Sequence, residues 1–271
     1  MSELDATTKG LVTQLDLESQ LDTLGLHEGM TVLVHTRMSA LGWVCGGAQA
    51  VVDALLNVLG VSGTLMVPTF SSHLSDPSGW ESPPVPKAWW STIRATLPAY
   101  DPSLTPTRGM GVVADTLRAH PRALRSSHPA VSFAAVGAHA AALTQRHELS
   151  YGLGEGSPLA RLYELDGHVL LLGVGHANNS SIHLAEYRTQ NAHTRHYRAG
   201  APMMVGLERQ WVAYDDIDND PSDFTRIGRS FEKAHPPNEG LVGAGRARLF
   251  RQVPLVDHAT SWMDRHRPVE P

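Results

Sequence analysis

Three short apolar runs constrain this chain most: residues 31–35 (TVLVH), 64–68 (TLMVP) and 168–173 (HVLLLG). Each follows a glycine turn or the end of a helical stretch and is apolar nearly throughout rather than alternating. The first two are separated by residues 48–59, where Val51, Leu55 and Val58 share a helical face. The third follows Ser157-Pro158, a helix start with serine as cap and proline in the first turn. Five-residue apolar strands alternating with helices predict a mostly parallel sheet buried under helices on both faces. HVLLLG, the most apolar of the three, is expected to be central.

Further elements extend the pattern. Thr13-Gln14-Leu15-Asp16 has the form of a capping box and opens a helix to about Leu24. Helices are expected over 109–118, 137–145, 158–164, 181–190, 221–234 and 254–266, and a strand over 131–136. Asn179 or Ser180 caps the helix from Ser181. Residues 195–214 read as a hairpin around Gly206, adding an antiparallel portion to the sheet. Residues 71–108 differ: seven prolines punctuate a stretch that also holds Trp80, Trp89 and Trp90. Such a loop suits a binding loop or lid, or an insert with its own small core.

At 271 residues the chain is shorter than two average domains, so one domain, 1–271, carrying the 71–108 insert is expected. Charged residues make up 18% and apolar residues 42%, which excludes a coiled coil or a disordered chain. A net charge of −5 opposes general nucleic-acid binding and fits a cationic partner. The single cysteine, Cys45, excludes a disulfide framework and a cysteine-rich zinc site. The polar, acidic start has no apolar core of a signal peptide, and no apolar run reaches the ~18 residues of a membrane span. A soluble, cytoplasmic protein without a membrane partner is expected.

Fifteen histidines direct attention to acid–base or metal chemistry. The sharpest candidate pair is His183 and Glu186, three apart on the helix that follows the apolar strand and the turn Gly173-Val174-Gly175. That spacing puts both on one helical face. The position is the carboxyl edge of the sheet, where α/β proteins keep their ligands. There His183 can act as a base, with Glu186 orienting it or holding a cationic substrate; a surface pair with no function fits the spacing equally. His176, His183 and Glu186 could in principle converge on a metal, but no H-E-x-x-H motif supports it, and no metal is expected.

The loop His35 to Gly47 leaves a strand, carries hydroxyls, Arg37 and glycines, and enters a helix. It suits a phosphate or an amide-bearing chain such as pantetheine, or is an ordinary strand–helix loop. Asp215, Asp216, Asp218 and Asp220 crowd six residues, serving a polycationic ligand or capping the next helix. Gly173-Val174-Gly175 does not complete a dinucleotide fingerprint, because Asn178 stands at the third glycine position. A nucleophile elbow of the G-x-S-x-G type is absent. Residues 108–113 nearly match the acetyl-CoA loop of the common acetyltransferase superfamily, but Val113 breaks it.

Taken in order, LVHTRMSALGWVCGGAQAVVDALL, GTLMVPTFS, TPTRGMGVVADTLR, RSSHPAVSFAAVG, LGEGSPLARLYELDGHVLLLGVGHANNSSIHLAE and DIDNDPSDFTRIG span nearly the whole chain. Together they resemble the aminoglycoside 3-N-acetyltransferase family, whose antibiotic N-acetyltransferase fold is distinct from the GCN5-type acetyltransferases. The resemblance implies transfer of acetyl from acetyl-CoA to the 3-amino group of a 2-deoxystreptamine antibiotic, and hence antibiotic resistance. It places the general base on His183 and its partner on Glu186. It implies coenzyme A contacts at His35, Thr36, Arg37, Met38, Ser39, Leu41, Gly42, Val44, Thr69, Phe70, Ser71, Met110, Ser126 and His128. The family commonly has Ser-Ser where this chain has Thr36-Arg37; threonine keeps the hydroxyl, while Arg37 adds a charge for a phosphate. Asp76, Tyr151, Glu155, Glu186, Asp215, Asp216 and Asp218 are the acceptor-binding candidates, and backbone or hydroxyl donors of 69–71 the candidates for the oxyanion. The expected partners are an aminoglycoside and coenzyme A, in a monomer or homodimer. The alternative acceptor is another amine: an aminosugar, a polyamine or a biosynthetic intermediate. A binder that only sequesters the antibiotic would lack acetyl-CoA affinity.

Overall fold

Side chains along a strand alternate between its two faces, so a strand apolar at every position must be covered on both. The computed structural model, which describes residues 10–81, 83–190 and 195–267, shows this sandwich. In chain order the first half holds β1 (Leu11–Val12), α1 (Gln14–Thr23), β2 (Thr31–Thr36), β3 (Trp43–Val44), α2 (Gly47–Leu59) and β4 (Thr64–Pro68). Then come α3 (Trp90–Thr96), α4 (Val112–Arg118), β5 (Leu124–Arg125), β6 (Phe133–Gly137) and α5 (Ala140–Thr144). The second half holds α6 (Pro158–Glu164), β7 (His168–Leu172), α7 (Ser181–Arg188), β8 (His196–Val205) and β9 (Glu208–Ile217). It ends with α8 (Phe224–Ala234), β10 (Asn238–Val242), β11 (Gly245–Arg251) and α9 (Gln252–His266).

The main sheet has seven strands in the order β10-β11-β7-β2-β4-β6-β5. Five run in one direction, while β6 and β11 run against them. β2 is the middle strand and β7 lies beside it, paired on both edges. Val32 and Val34 of β2 and Leu170 and Leu172 of β7 enter one core cluster, with Leu17 of α1, Leu55 of α2 and Leu117 of α4. Leu33, Val169 and Leu171 enter the other, with Leu159 of α6, Ile182 of α7, Phe231 of α8 and Leu255 of α9. The period of two therefore divides the strands between two helical layers.

The helix starts follow the sequence signals. Thr13 Oγ1 accepts from Asp16 N at 3.2 Å while Thr13 N donates to Asp16 Oδ2 at 2.9 Å, closing the capping box. Ser157 Oγ accepts from Leu159 N at 3.2 Å and caps α6. The helix expected at 109 begins instead at Val112, because Gly109 and Gly111 take φ of +74° and +86°.

Two expectations are corrected. The hairpin β8–β9 turns at Gly206 as read, but forms a two-stranded sheet of its own. The antiparallel addition to the main sheet is made by β10 and β11, which the reading did not name. Residues 71–108 are also more ordered than a bare loop. α3 sits inside them, Asp76 receives both Arg94 Nε and Nη2 at 2.8 Å, and Tyr100 donates to Ser126 O at 2.8 Å. Tyr100 N and the Arg209 guanidinium tie this insert to the hairpin, at Pro202 O and Leu97 O. Among the described residues no helix is long and apolar enough to cross a membrane.

Candidate active site

The turn after β7 decides where α7 begins. Gly173 has φ of +70°, and a Cβ there would lie 2.6 Å from Ala40 Cβ and 3.2 Å from Arg37 O. Only glycine lets the β2–β3 loop approach this closely. Asn179 Oδ1 then accepts from Ser181 N at 3.1 Å, so of the two cap candidates it is Asn179 whose side chain serves the helix. Ser180 N donates to His35 Nε2 at 3.3 Å across the top of the sheet. His35 is buried and neutral: burial, then His183 and His176, push its pKa down to about 3.

On α7 the expected pair is formed. His183 Nδ1 lies 2.6 Å from Glu186 Oε2. A carboxylate only accepts, so in the neutral ring Nδ1 carries the hydrogen and Nε2 keeps its lone pair. The ring is braced by Phe224, edge-on with centroids 4.8 Å apart. Glu186 has no exposed side-chain surface, whereas the His183 side chain is 15% exposed. The other carboxylate oxygen, Oε1, accepts from Asp220 N at 2.9 Å and from Arg267 Nη1 at 2.9 Å. Both oxygens of Glu186 are thus committed inside the protein. Of its two expected roles the geometry provides orientation of His183, and no exposed carboxylate face for an amine.

Three residues before His183, Ser180 lines a cavity of about 440 Å³ at the carboxyl ends of β2 and β4. Six of the expected coenzyme contacts line it: His35, Thr36, Arg37, Met38, Ser39 and Met110. The reading missed Gly109, Gly111, Val174, Asn178 and Ser180, which also line it. A second cleft of about 450 Å³ shares Arg37, Val174 and Asn178 with the first and extends to Arg246 and Arg248. Among the described residues no Asp or Glu lines either one. Arg246 and Arg248 are paired there with Glu239 and Glu232, and Arg37 is the third arginine of the two clefts.

The other expected contacts lie elsewhere. Leu41 and Val44 are core residues, and Gly42 lies between them. Phe70 packs edge-on against Phe133 at 5.4 Å. Thr69 and Ser71 are wholly buried, and their amides bond to Ser132 O and Ala130 O. Their hydroxyls are held by the Arg125 guanidinium, which also reaches Ser132 Oγ, Thr105 O and Thr69 O. These groups are structural and are not aimed at an oxyanion. Ser126 Oγ bonds Phe133 N and His147 Nδ1, both at 2.9 Å. His128 Nδ1 accepts from Ala130 N and Val131 N, and its Nε2 donates to Leu149 O. Burial pushes His128 down to about 4 and His147 well below its ordinary value. Both rings are neutral struts between loops.

The acceptor-side acids are mostly paired. Asp76 holds Arg94, Glu155 holds Arg188 at 2.7 and 3.0 Å, and Asp215 holds Arg198 at 2.8 Å. Asp218 Oδ2 lies 4.0 Å from Arg195. Asp216 is buried, with Tyr187 Oη donating at 2.8 Å; burial raises its pKa against that bond. Tyr151, exposed and with φ of +57°, stands edge-on to Tyr187 and to His196. Tyr187 is the neighbour of Glu186 that the reading passed over.

His176 does not join His183. It lies 3.0 Å from Glu232, and among the described residues no group of three or more His, Cys, Asp or Glu converges on a metal position. His193, one of the scattered histidines, lies outside the described residues.

Comparison with known proteins bears on the whole of this arrangement. A sequence model of the aminoglycoside 3-N-acetyltransferases matches residues 33–264. The prophage-derived aminoglycoside N(3')-acetyltransferase-like protein YokD of Bacillus subtilis is 42% identical over 251 residues, covering 92% of each chain. Its crystal structure superimposes with a TM-score of 0.93 at 40% identity, covering 95% of each chain. Aminoglycoside N(3)-acetyltransferase VII of Streptomyces paromomycinus is 38% identical, covering 94% of this chain and 92% of its own. A structure of AAC-IIIb as a binary complex with CoASH is similar with a TM-score of 0.85 and 29% identity, covering 97% of this chain and 99% of that one. The match runs through both core layers, the cavity and the His183–Glu186 helix, and the chain belongs to the aminoglycoside 3-N-acetyltransferase family.

Proposed function

We propose that this acetyltransferase moves acetyl from acetyl-CoA directly to the 3-amino group of a 2-deoxystreptamine antibiotic, with His183 as general base in a ternary complex. The observation that carries the reading is the 2.6 Å contact between His183 Nδ1 and a buried Glu186, on the helix that begins just after the cavity-lining Ser180. CoASH bound to a relative of the same fold supports the donor. Pantetheine lies along the loop from His35 to Ser39, and the phosphates lie toward Arg37, the arginine shared by both clefts.

An ammonium has no lone pair to attack with. Once the acceptor is bound as its free amine, nitrogen attacks the thioester carbon while its surplus proton passes to His183 Nε2. The tetrahedral centre collapses, the carbon–sulfur bond breaks, and the thiolate takes the proton from His183. Electrons and protons balance within the two substrates and the histidine. General base catalysis of this kind contributes ~10²–10⁴-fold. Holding both substrates together contributes up to about 7–11 kcal/mol.

The acceptor enters between the 71–108 insert, the hairpin and Tyr151. The pairing of Asp76, Glu155 and Asp215 with arginines favours a second reading, in which the acceptor is an amine of lower charge than a polycationic antibiotic. Coenzyme A release from acetyl-CoA by purified protein, with a panel of aminoglycosides that includes one lacking a free 3-amino group, separates them. Release with the normal scaffolds and none with the blocked one supports the reading. Release only with simpler amines supports the second, and no release with any amine overturns both.

A further inference from the structure

Arg267 closes α9, whose buried Trp262 and Met263 lie in the same core cluster as Leu184 and Ala185 of α7. Its guanidinium reaches out of that anchored helix end to the carboxylate behind His183. Nη1 donates to Glu186 Oε1 at 2.9 Å. Nε and Nη2 donate to the two oxygens of Asp223 at 2.9 and 2.8 Å, and Nη2 also to Asp220 O at 2.7 Å. Burial works against this charge, yet the bonds to Asp223 and Glu186 hold the guanidinium above its ordinary pKa.

The result is a relay of fixed partners, His183–Glu186–Arg267–Asp223, with the fully buried Glu186 between partly exposed groups. Glu186 has no exposed side-chain surface. Arg267 supplies a permanent cation at the oxygen that does not face His183. With Asp220 N, Arg267 also occupies Oε1, which leaves Oε2 alone to face the imidazole. A planar, forked donor does this at two carboxylates together; a lysine ammonium has no such fork.

We propose that Arg267 is a positioning residue for the acetyl transfer: it fixes the charge and orientation of Glu186, and through it the tautomer and aim of His183. This rests on His183 being the base. The groups that face His183 are Glu186 on its own helix, His35 from β2, Asp216 from β9, and Arg267 with Asp223 behind Glu186. Among these Arg267 is the permanent cation.

The test uses the full chain with R267M, R267A, R267K and D223N beside H183A. Steady-state kcat and both KM values, the pH profile, coenzyme A affinity and the thermal midpoint are measured for each. R267M is expected to lower kcat by about 10- to 100-fold, with both KM values and coenzyme A affinity within about twofold. Millimolar guanidinium restores part of the turnover of R267A and none to H183A. R267K keeps an intermediate rate, and D223N, where Nη1 still donates to Glu186, loses less than R267M. Turnover of R267M at the wild-type rate while H183A is inactive overturns this inference alone. So does a loss in R267A that guanidinium does not restore and that lowers coenzyme A affinity in parallel, because Arg267 is then only an anchor for the end of the chain. H183A at the wild-type rate overturns the reading of the base as well.

Discussion

Glu186 has one oxygen on a histidine and one on an arginine, and the two bonds answer differently to substitution. Glu186→Gln keeps the shape and an acceptor for Arg267 but removes the charge facing His183. Turnover is expected to fall by about 10²-fold, with the thermal midpoint little changed. Glu186→Ala also removes one charged hydrogen bond of Arg267 while Asp223 keeps its own, at a cost of about 1.5–3 kcal/mol. Equal stability of the two variants in urea titration would contradict the charged, doubly bonded Glu186 described here. At this scale the sequence was legible only where partners are close along the chain. His183 and Glu186 are three apart, a spacing that a helix converts into contact. Arg267 lies 81 residues from Glu186, and no local pattern joins them. The same holds for Thr69 and Ser71: their hydroxyls look available in the sequence, and the Arg125 guanidinium that takes them lies more than 50 residues on.

Among the elements, those with a terminal signal were read to within a residue or two. Ser157 caps α6 through its hydroxyl, so Ser157→Ala is expected to cost about 1 kcal/mol, read as a lower urea midpoint at unchanged slope. Gly173 has the more severe requirement. Gly173→Ala brings a Cβ to 2.6 Å from Ala40 at a φ of +70°, which pushes the β2–β3 loop away from α7. The expected outcome is weaker coenzyme A binding together with lower stability; coenzyme A affinity at the wild-type value would show that the loop does not shape the cavity. Where the reading erred, the pattern was present but ambiguous. β11 alternates Arg246 and Arg248 with Ala247 and Leu249 before Phe250 turns to the other layer, and it runs directly into α9 with no turn between. β8–β9 has a clear turn at Gly206, but a hairpin's sequence does not say which sheet it joins.

The molecule as a whole carries its histidines in two ways. A count of fifteen directs attention to acid–base chemistry, and His128 and His147 are buried neutral struts while His35 receives the amide of Ser180. Their folded-state pKa values lie below the unfolded value of about 6.5, at about 4 for His128 and about 3 for His35. The unfolded chain therefore binds more protons in that window, and stability falls as pH drops from about 6.5 toward 4. Thermal unfolding from pH 7.5 down to 4.5 is expected to show a steadily falling midpoint, and His128→Gln is expected to flatten that slope. A midpoint independent of pH in this range would contradict the buried neutral rings. The α/β class was legible because five-residue apolar strands admit few architectures. The strand order was not, because β4 and β6 pair across an intervening 64 residues that hold the insert.

The central claim is that His183 moves the proton. It is tested most directly by the single-turnover rate of acetyl transfer in His183→Ala with both substrates saturating, set beside calorimetric binding of coenzyme A. The account predicts a rate at least ~10²-fold below that of the unaltered enzyme with coenzyme A affinity unchanged. A variant that transfers acetyl at nearly the original rate would contradict it.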